Sequence, residues 1–130
     1  MSQHNEIGKI GEEIAKRFLE KQGYKIIEQN YRTKYAEIDL VTCPSKFHFA
    51  KLGRAKEKEL VFVEVRTKVG ENFGMPEETI NKKKMRKLRR NAATYAAIKK
   101  WSGPFRIDAI CIVLKPDYSV ERLNRYENIA

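Results

Sequence analysis

The sequence predicts an α/β fold in which a sheet is flanked by two helices, with elements in the order α-β-β-β-α-β. Two stretches with helical spacing, 5–22 and 76–100, enclose three runs that have the pattern of strands. A strongly apolar run at 104–114 follows the second stretch and predicts a final core strand. At 130 residues, the chain is expected to form one domain that spans 1–130.

Local signals set the limits of the first elements. Isoleucine and phenylalanine recur at helical spacing over 5–22, and Gly23 follows as a C-cap. Residues 24–32 and 35–42 have the composition of strands and are separated by a short polar turn, which favours a hairpin. The run 60–68 is the third strand.

Proline and charged residues indicate where the helix and loops of the second half of the chain begin. Pro76 suits the first position of a helix and acidic residues follow it, so this helix is expected to run from Pro76 to about Lys100. Residues 116–130 are expected to supply an edge strand and a tail. The basic segment 43–59 is interpreted as a mobile loop, or as two frayed strands around a mobile tip.

Composition narrows the choice of partner. A net charge of +10 predicts an anionic partner, most commonly nucleic acid. A membrane surface is the competing interpretation, and it would need a basic amphipathic helix with Trp, Phe or Leu on its other face. The longest apolar run, at 109–114, is too short to span a bilayer. Cys43 and Cys111 lack the spacing of a zinc site and are interpreted as reduced thiols. We therefore expect a cytoplasmic protein with a nucleic-acid partner and no membrane.

Charged side chains interrupt the apolar run LVFVEVRTK at 60–68. Because strand side chains alternate between faces, the three valines share one face, while Glu64, Arg66 and Lys68 share the other. An unpaired ion in a buried strand is costly, so these charges need partners. Salt bridges on a solvated face are one explanation, and a functional site is the other.

The preceding run, AEIDLV, raises the same question. Alternation predicts Ile38 and Leu40 on one face, with Glu37 and Asp39 on the other. If the two strands are neighbours, Asp39 and Glu64 converge, and carboxylates that close need a cation between them. Oxygen ligands of this kind suit Mg²⁺ or Mn²⁺.

The second helix carries seven Lys or Arg residues in the ten positions 81–90. A charge run is usually a solvated face, but Lys84 falls on the apolar stripe, four residues from both Ile80 and Leu88. We interpret Lys84 as pointing at the site of the two carboxylates. On the first helix, Glu12 lies at the edge of the apolar stripe and is the acid expected to reach the same site.

Several of these segments together resemble the YraN-type family of small bacterial proteins, which is related to Holliday-junction resolvases and to the PD-(D/E)XK nuclease superfamily. The resemblance covers nearly the whole chain except 43–59 and the last dozen residues. It implies a restriction-endonuclease-like core with a mixed sheet. The segments that carry it are GKIGEEIAKRFL, NYRTKYAEIDLV, LVFVEVRTK, FGMPEETINKKKMRKL and RIDAICIV.

The resemblance also implies a catalytic site, with Mg²⁺ or Mn²⁺ as cofactor. The catalytic residues it implies are Glu12, Asp39, Glu64, Arg66 and Lys84. We expect Asp39 and Glu64 to share the ion, with the Val65 carbonyl as a backbone ligand and Glu12 close by. Arg66 replaces the lysine usual in the family, and arginine stays charged at any useful pH. The role of general base then passes to a metal-bound hydroxide, Lys68 or Lys84.

The expected function is a metal-dependent endonuclease or resolvase that acts on DNA, selecting branched or otherwise structured substrates rather than sequence. A nucleic-acid-binding protein that has lost catalysis through Arg66 is the alternative, and a basic accessory protein on RNA is a third. Related resolvases are dimers, which leaves a homodimer open. The residues expected to bind nucleic acid are Lys68 on the strand, Lys83, Arg86, Lys87 and Arg90 on the helix, and Lys46, Lys51 and Arg54 in the basic segment.

Overall fold

The computed structural model describes residues 3–34, 37–45, 59–72 and 74–130. The order of its elements confirms the α-β-β-β-α-β prediction, and the expected edge strand follows as a fifth strand. No helix in these ranges combines the length and the apolar content needed to cross a bilayer. The elements are α1 (Gln3–Lys21), β1 (Tyr24–Arg32), β2 (Glu37–Pro44), β3 (Leu60–Val69), a 3-10 helix (Pro76–Thr79), α2 (Lys82–Ile98), β4 (Phe105–Leu114) and β5 (Val120–Tyr126).

The five strands form one mixed sheet in the order β1-β2-β3-β4-β5. The β1–β2, β2–β3 and β4–β5 pairs are antiparallel. The β3–β4 pair is parallel, because α2 crosses from the end of β3 back to the start of β4. In the described register, β2 pairs with β3 only from Thr42↔Val61 to Leu40↔Val63, so the second half of β3 runs on beyond this ladder.

The core has two layers, one on each face of the sheet. Ala15 and Leu19 of α1 pack on Val63 and the neighbouring strands, and Leu88 and Tyr95 of α2 pack on the opposite face. Complete burial of such an aliphatic or aromatic side chain contributes about 1.5–3 kcal/mol, so these layers fix both helices against the sheet. The predicted faces of β3 are confirmed, since its valines lie in the α1 layer and Phe62 lies in the α2 layer.

The second helix begins later than predicted. Residues Pro76–Thr79 form a separate 3-10 helix, and α2 starts at Lys82. Asn81 accounts for the difference, because its extended backbone and its side-chain oxygen, which accepts a hydrogen bond from the Lys84 amide at 2.9 Å, make it the N-cap. Ile80 therefore lies outside the helical stripe to which the sequence assigned it.

The alternation predicted for β2 is also wrong at one point. Leu40 packs in the α1 layer and Ile38 in the α2 layer, although two residues apart in a regular strand they would share a face. On β1, Asn30 lies between the partners of these two residues and has a φ of 52°, in the left-handed region. The left-handed residue interrupts the regular pleat opposite Asp39.

Helix α1 approaches β3 closely at Gly11. A Cβ atom at this position would overlap the side chain of Thr67. Only glycine lets the helix backbone lie this near the strand. The contact sets the height of α1 above the sheet immediately before Glu12.

A buried ion network joins the start of β4 to β5. Asp108 is fully buried and lies 3.0 Å from Arg106 Nε and 3.1 Å from a terminal nitrogen of Arg125. Asp108 also accepts a hydrogen bond from the Asn128 amide at 2.9 Å. The Tyr24 hydroxyl accepts 2.8 Å hydrogen bonds from both arginines. Each charge in the network is therefore matched by neighbours of opposite sign or by hydrogen bonds.

Part of the basic segment lies outside the described residues. Strand β2 continues to Pro44, which the sequence had placed in the segment 43–59, and the description resumes at Glu59. The expected contacts from Lys46, Lys51 and Arg54 therefore stay predictions.

Candidate metal centre

Asp39 and Glu64 lie where the β2–β3 ladder ends. They are the next residues on each strand after the pair Leu40↔Val63. Asp39 Oδ2 accepts a 2.8 Å hydrogen bond from the Val65 amide, which holds this carboxylate at the point where the strands part. The carboxylates of β2 and β3 thus face the same region at the end of the ladder.

Glu64 is a buried carboxylate with two cationic neighbours. Only 5% of the residue is exposed, and its Oε1 lies 3.3 Å from Arg66 Nε and 3.6 Å from Lys84 Nζ. Burial raises the pKa of Glu64, while Lys84 and Arg66 oppose that rise. Lys84 lies one helical turn before the buried Leu88, so the packing of α2 brings its ammonium group to the sheet.

Two further carboxylates, those of Glu12 and Glu37, gather around Asp39. One oxygen from each of Glu12, Glu37 and Asp39 lies within 4.8 Å of the other two. Glu12 Oε1 is buried and has no hydrogen-bond partner among the described residues. Burial, followed by the charges of Asp39 and Glu37, raises the pKa of Glu12 to about 7. Burial, followed by the charge of Glu64, raises the pKa of Asp39 to about 7.

This arrangement fits a hard divalent cation. The carboxylates of Glu12, Glu37 and Asp39 converge, and Glu64 lies near Asp39 but outside this group of three. An oxygen-rich donor set of this kind is what Mg²⁺ and Mn²⁺ bind. Val65 contacts Asp39 through its amide, and the role expected of its carbonyl stays a prediction. Sequence reasoning left Glu37 unassigned, although its position two residues before Asp39 was the signal for it. Glu37 also lies 3.5 Å from the exposed Arg32.

The cationic residues lie in two places around the acids. Arg66 and Lys68 follow Glu64 along β3, and each is partly buried. The α2 residues expected to bind phosphate are all exposed to solvent: Lys83, Arg86, Lys87 and Arg90. An acidic centre beside a cationic surface is suited to a ligand that carries negative charge.

We expect the metal-free protein to be less stable at pH 8 than at pH 5. The ordinary pKa values of Glu12 and Asp39 are 4.5 and 3.8, and both rise to about 7 on folding. Between these values the folded state holds protons that the unfolded state has released, so stability falls as the pH rises toward 7. Urea midpoints measured in EDTA at both pH values test this.

The double variant Glu12→Gln, Asp39→Asn is the control for this pH effect. It should lose much of the difference between pH 5 and pH 8, because its amides do not titrate. A wild-type midpoint that is the same at both pH values, or an equal fall in the double variant, would show that these two acids do not control the stability.

The fold and the site together define an α/β domain with an acidic centre at the end of a strand pair. The chain belongs to the family described as uncharacterised protein family UPF0102, whose model matches residues 11–112. A UPF0102 protein of Caldanaerobacter subterraneus subsp. tengcongensis is 34% identical over 124 residues, which cover 94% of this chain and 92% of the relative. A UPF0102 protein of Thermotoga petrophila is 45% identical over 102 residues, which cover 78% and 82%.

Proposed function

We propose that this protein is a divalent-metal-dependent endonuclease that hydrolyses phosphodiester bonds in DNA and selects structure rather than sequence. The observation that carries the proposal is the convergence of Asp39, Glu12 and Glu37 near Glu64, which contacts Arg66 and Lys84. Membership of UPF0102 names no reaction. The class of reaction comes from the sequence resemblance to Holliday-junction resolvases and PD-(D/E)XK nucleases.

The carboxylates would hold the metal ion. Asp39 and Glu64 are the proposed ligands, with Glu12 as a third and Glu37 as an additional acid. When bound, Mg²⁺ or Mn²⁺ supplies Lewis-acid polarisation of a phosphoryl oxygen and lowers the pKa of water. Neutralisation by the cation also relieves the repulsion among the acids.

Arg66 and Lys84 would act on the phosphate. Both contact Glu64, so both lie at the edge of the acidic centre. The Arg66 guanidinium is suited to orienting the scissile phosphate by paired hydrogen bonds and to stabilising the charge that develops on it. Arg66 cannot take up a proton, whereas an amine can release one and act as a base. Lys84 and Lys68 are therefore the residues proposed to move protons.

The same arginine favours a second candidate function. A protein that keeps the fold but has Arg66 where a titrating lysine is usual could bind nucleic acid without cleaving it. Incubation with labelled four-way-junction and duplex DNA, in Mn²⁺ and in EDTA, separates the two functions. Cleavage in Mn²⁺ alone supports the nuclease. Tight binding with both substrates left intact supports the inactive binding protein.

We expect the exposed face of α2 to set the salt dependence of DNA binding. Each phosphate contact contributes a slope of about −0.9 to log K against log salt on duplex DNA. Replacing Lys83, Arg86, Lys87 and Arg90 with Gln should therefore flatten the slope by up to about 3.6, if each contacts one phosphate. Fluorescence anisotropy titrations from low to moderate salt measure this slope.

A second set of exposed basic residues controls for net charge. Replacing Arg17, Lys21, Lys25 and Lys100 with Gln removes the same charge from the end of α1, the start of β1 and the turn after α2. This control should retain most of the slope. If the two sets of substitutions flatten the salt slope equally, DNA binding depends on net charge rather than on this face of α2.

A further inference from the structure

A cleft lies at the end of β3, next to the acidic centre. Its volume is about 850 Å³. The second half of β3, from Val65 to Val69, and the following Gly70 form its floor, and the first turns of α1 form one wall at Gly8. Pro76 of the 3-10 helix and Tyr118 of the β4–β5 turn complete the lining. We propose that this cleft binds an unpaired segment of a nucleic-acid strand and leads it to the metal centre.

The size of the cleft favours a single strand. Pockets of about 300–1,000 Å³ accommodate ligands of drug size, which is the scale of one or two nucleotides. In a duplex the bases are stacked on one another and covered by the partner strand, so only phosphates at its surface could meet the rim. An unpaired strand can place both its bases and its phosphates inside.

The lining offers both kinds of contact that such a strand needs. Arg66 and Lys68 lie on the floor and are suited to the phosphates. Ile7 and the Tyr118 ring, which are both partly exposed, supply apolar and aromatic surface for the bases. Stacking on such surface is tolerant of sequence, which agrees with a preference for structure rather than sequence.

Arg66 connects the cleft to the acidic centre. It lines the cleft, and its Nε lies 3.3 Å from Glu64. A strand bound along β3 would therefore present a phosphate to the proposed metal ligands. A second copy of this chain is a weaker occupant, because two molecules that each carry a charge of +10 repel one another. The inference rests on the proposed function for its substrate, but the cleft can be tested without cleavage.

Gly8 allows the cleft to be blocked. It lies within α1 and lines the cleft, yet a Cβ atom at this position meets nothing within 4 Å among the described residues. A tryptophan at this position can extend into the cleft without displacing backbone, and loss of a helical glycine favours the helix. Gln22→Trp, at an exposed position just after α1, adds the same ring away from the cleft.

The experiment measures binding of labelled single-stranded and duplex DNA of one sequence by anisotropy, in EDTA. Gly8→Trp should weaken single-strand binding about tenfold or more and duplex binding by less, since stacking contacts are lost. Gln22→Trp should bind both as the wild type does. Lys68→Gln is a second variant, expected to weaken single-strand binding even if Gly8→Trp folds poorly.

The outcomes separate the cleft from the nuclease. The proposal that the cleft binds a single strand is contradicted if the wild type does not bind single-stranded DNA. It is also contradicted if a folded Gly8→Trp variant and the Lys68→Gln variant both bind it as the wild type does. Equal losses of affinity for single-stranded and duplex DNA would contradict the proposal as well. If the cleft is overturned while Mn²⁺-dependent cleavage persists, the nuclease proposal stands. If Gly8→Trp selectively loses single-strand binding but the wild type never cleaves, the cleft stands and the nuclease proposal fails.

Discussion

Changing Asp39 to Asn should lower Mn²⁺-dependent DNA cleavage by about two to three orders of magnitude or more, a loss typical of removing one key electrostatic group. Asp39 lies close to Glu12 and Glu37 and also feels the charge of Glu64. Asparagine keeps the shape of the side chain and can still accept the hydrogen bond from the Val65 amide. The change therefore removes the charge that a cation needs while preserving the local backbone.

Two measurements distinguish this loss from unfolding. The melting temperature of the wild type should rise with Mn²⁺, because a ligand that binds only the folded state stabilises it. Asp39→Asn should show no rise, and in EDTA at pH 8 it should melt at the wild-type temperature or above, since one repelling charge is gone. If Mn²⁺ does not change the melting temperature of the wild type, and the Asp39→Asn variant is unfolded, Asp39 is a structural residue.

Glu13→Gln is the matched control for the acidic centre. Glu13 neighbours Glu12 in sequence but is exposed and pairs with Arg17 along the helix surface at 3.4 Å. Its neutralisation should leave cleavage and the response to Mn²⁺ unchanged, whereas Glu12→Gln should reduce both. Equal behaviour of the two variants would mean that net charge, rather than the geometry of the centre, controls activity.

Replacing Asp108 with Ala should lower the free energy of unfolding by about 3–5 kcal/mol. The carboxylate is fully buried, while the side chains of Arg106 and Arg125 are only 16% and 12% exposed. Loss of the acid leaves two cations and the Asn128 amide without their shared acceptor. Urea denaturation at constant pH measures the change.

Glu121→Ala is the control for this stability effect. Glu121 is an exposed acid on β5, and surface substitutions of this kind usually change stability by less than about 0.5 kcal/mol. If Asp108→Ala is no more destabilising than Glu121→Ala, Asp108 contributes little, and the remaining partners Glu59, Glu127 and Tyr24 are sufficient for the two arginines.

The order of elements could be predicted because the periodicity of apolar residues and the positions of the turn and capping residues agree along most of this chain. The faces of β3 follow from strict alternation, and those predictions were correct. The face of Ile38 could not be predicted from alternation, because Ile38 and Leu40 lie on opposite faces where β2 passes the left-handed Asn30 of β1. The start of α2 was misplaced for a local reason, since the capping preference of Asn81 outweighed the helix-starting preference of Pro76.

Most residues of the candidate site could be singled out from the sequence, but Glu37 and the arrangement of the acids could not. Lys84 was singled out by its place on an apolar stripe, and the structure puts it beside Glu64. The grouping of Glu37 with Glu12 depends on the height and angle of α1 over the sheet, which no local pattern encodes. The Asp108 network was missed because Arg125 lies 17 residues further along the chain.

The contact between Gly11 and Thr67 has a consequence for interpreting large-scale mutagenesis. Any larger residue at 11 must push α1 away from β3, and Glu12, the next residue, moves with it. The proposed DNA cleavage would then be lost even though Gly11 is not one of the proposed site residues. A mutational scan would therefore score Gly11 as essential, and a compensating reduction in size at Thr67, rather than any change in the acidic centre, is the substitution most suited to rescuing it.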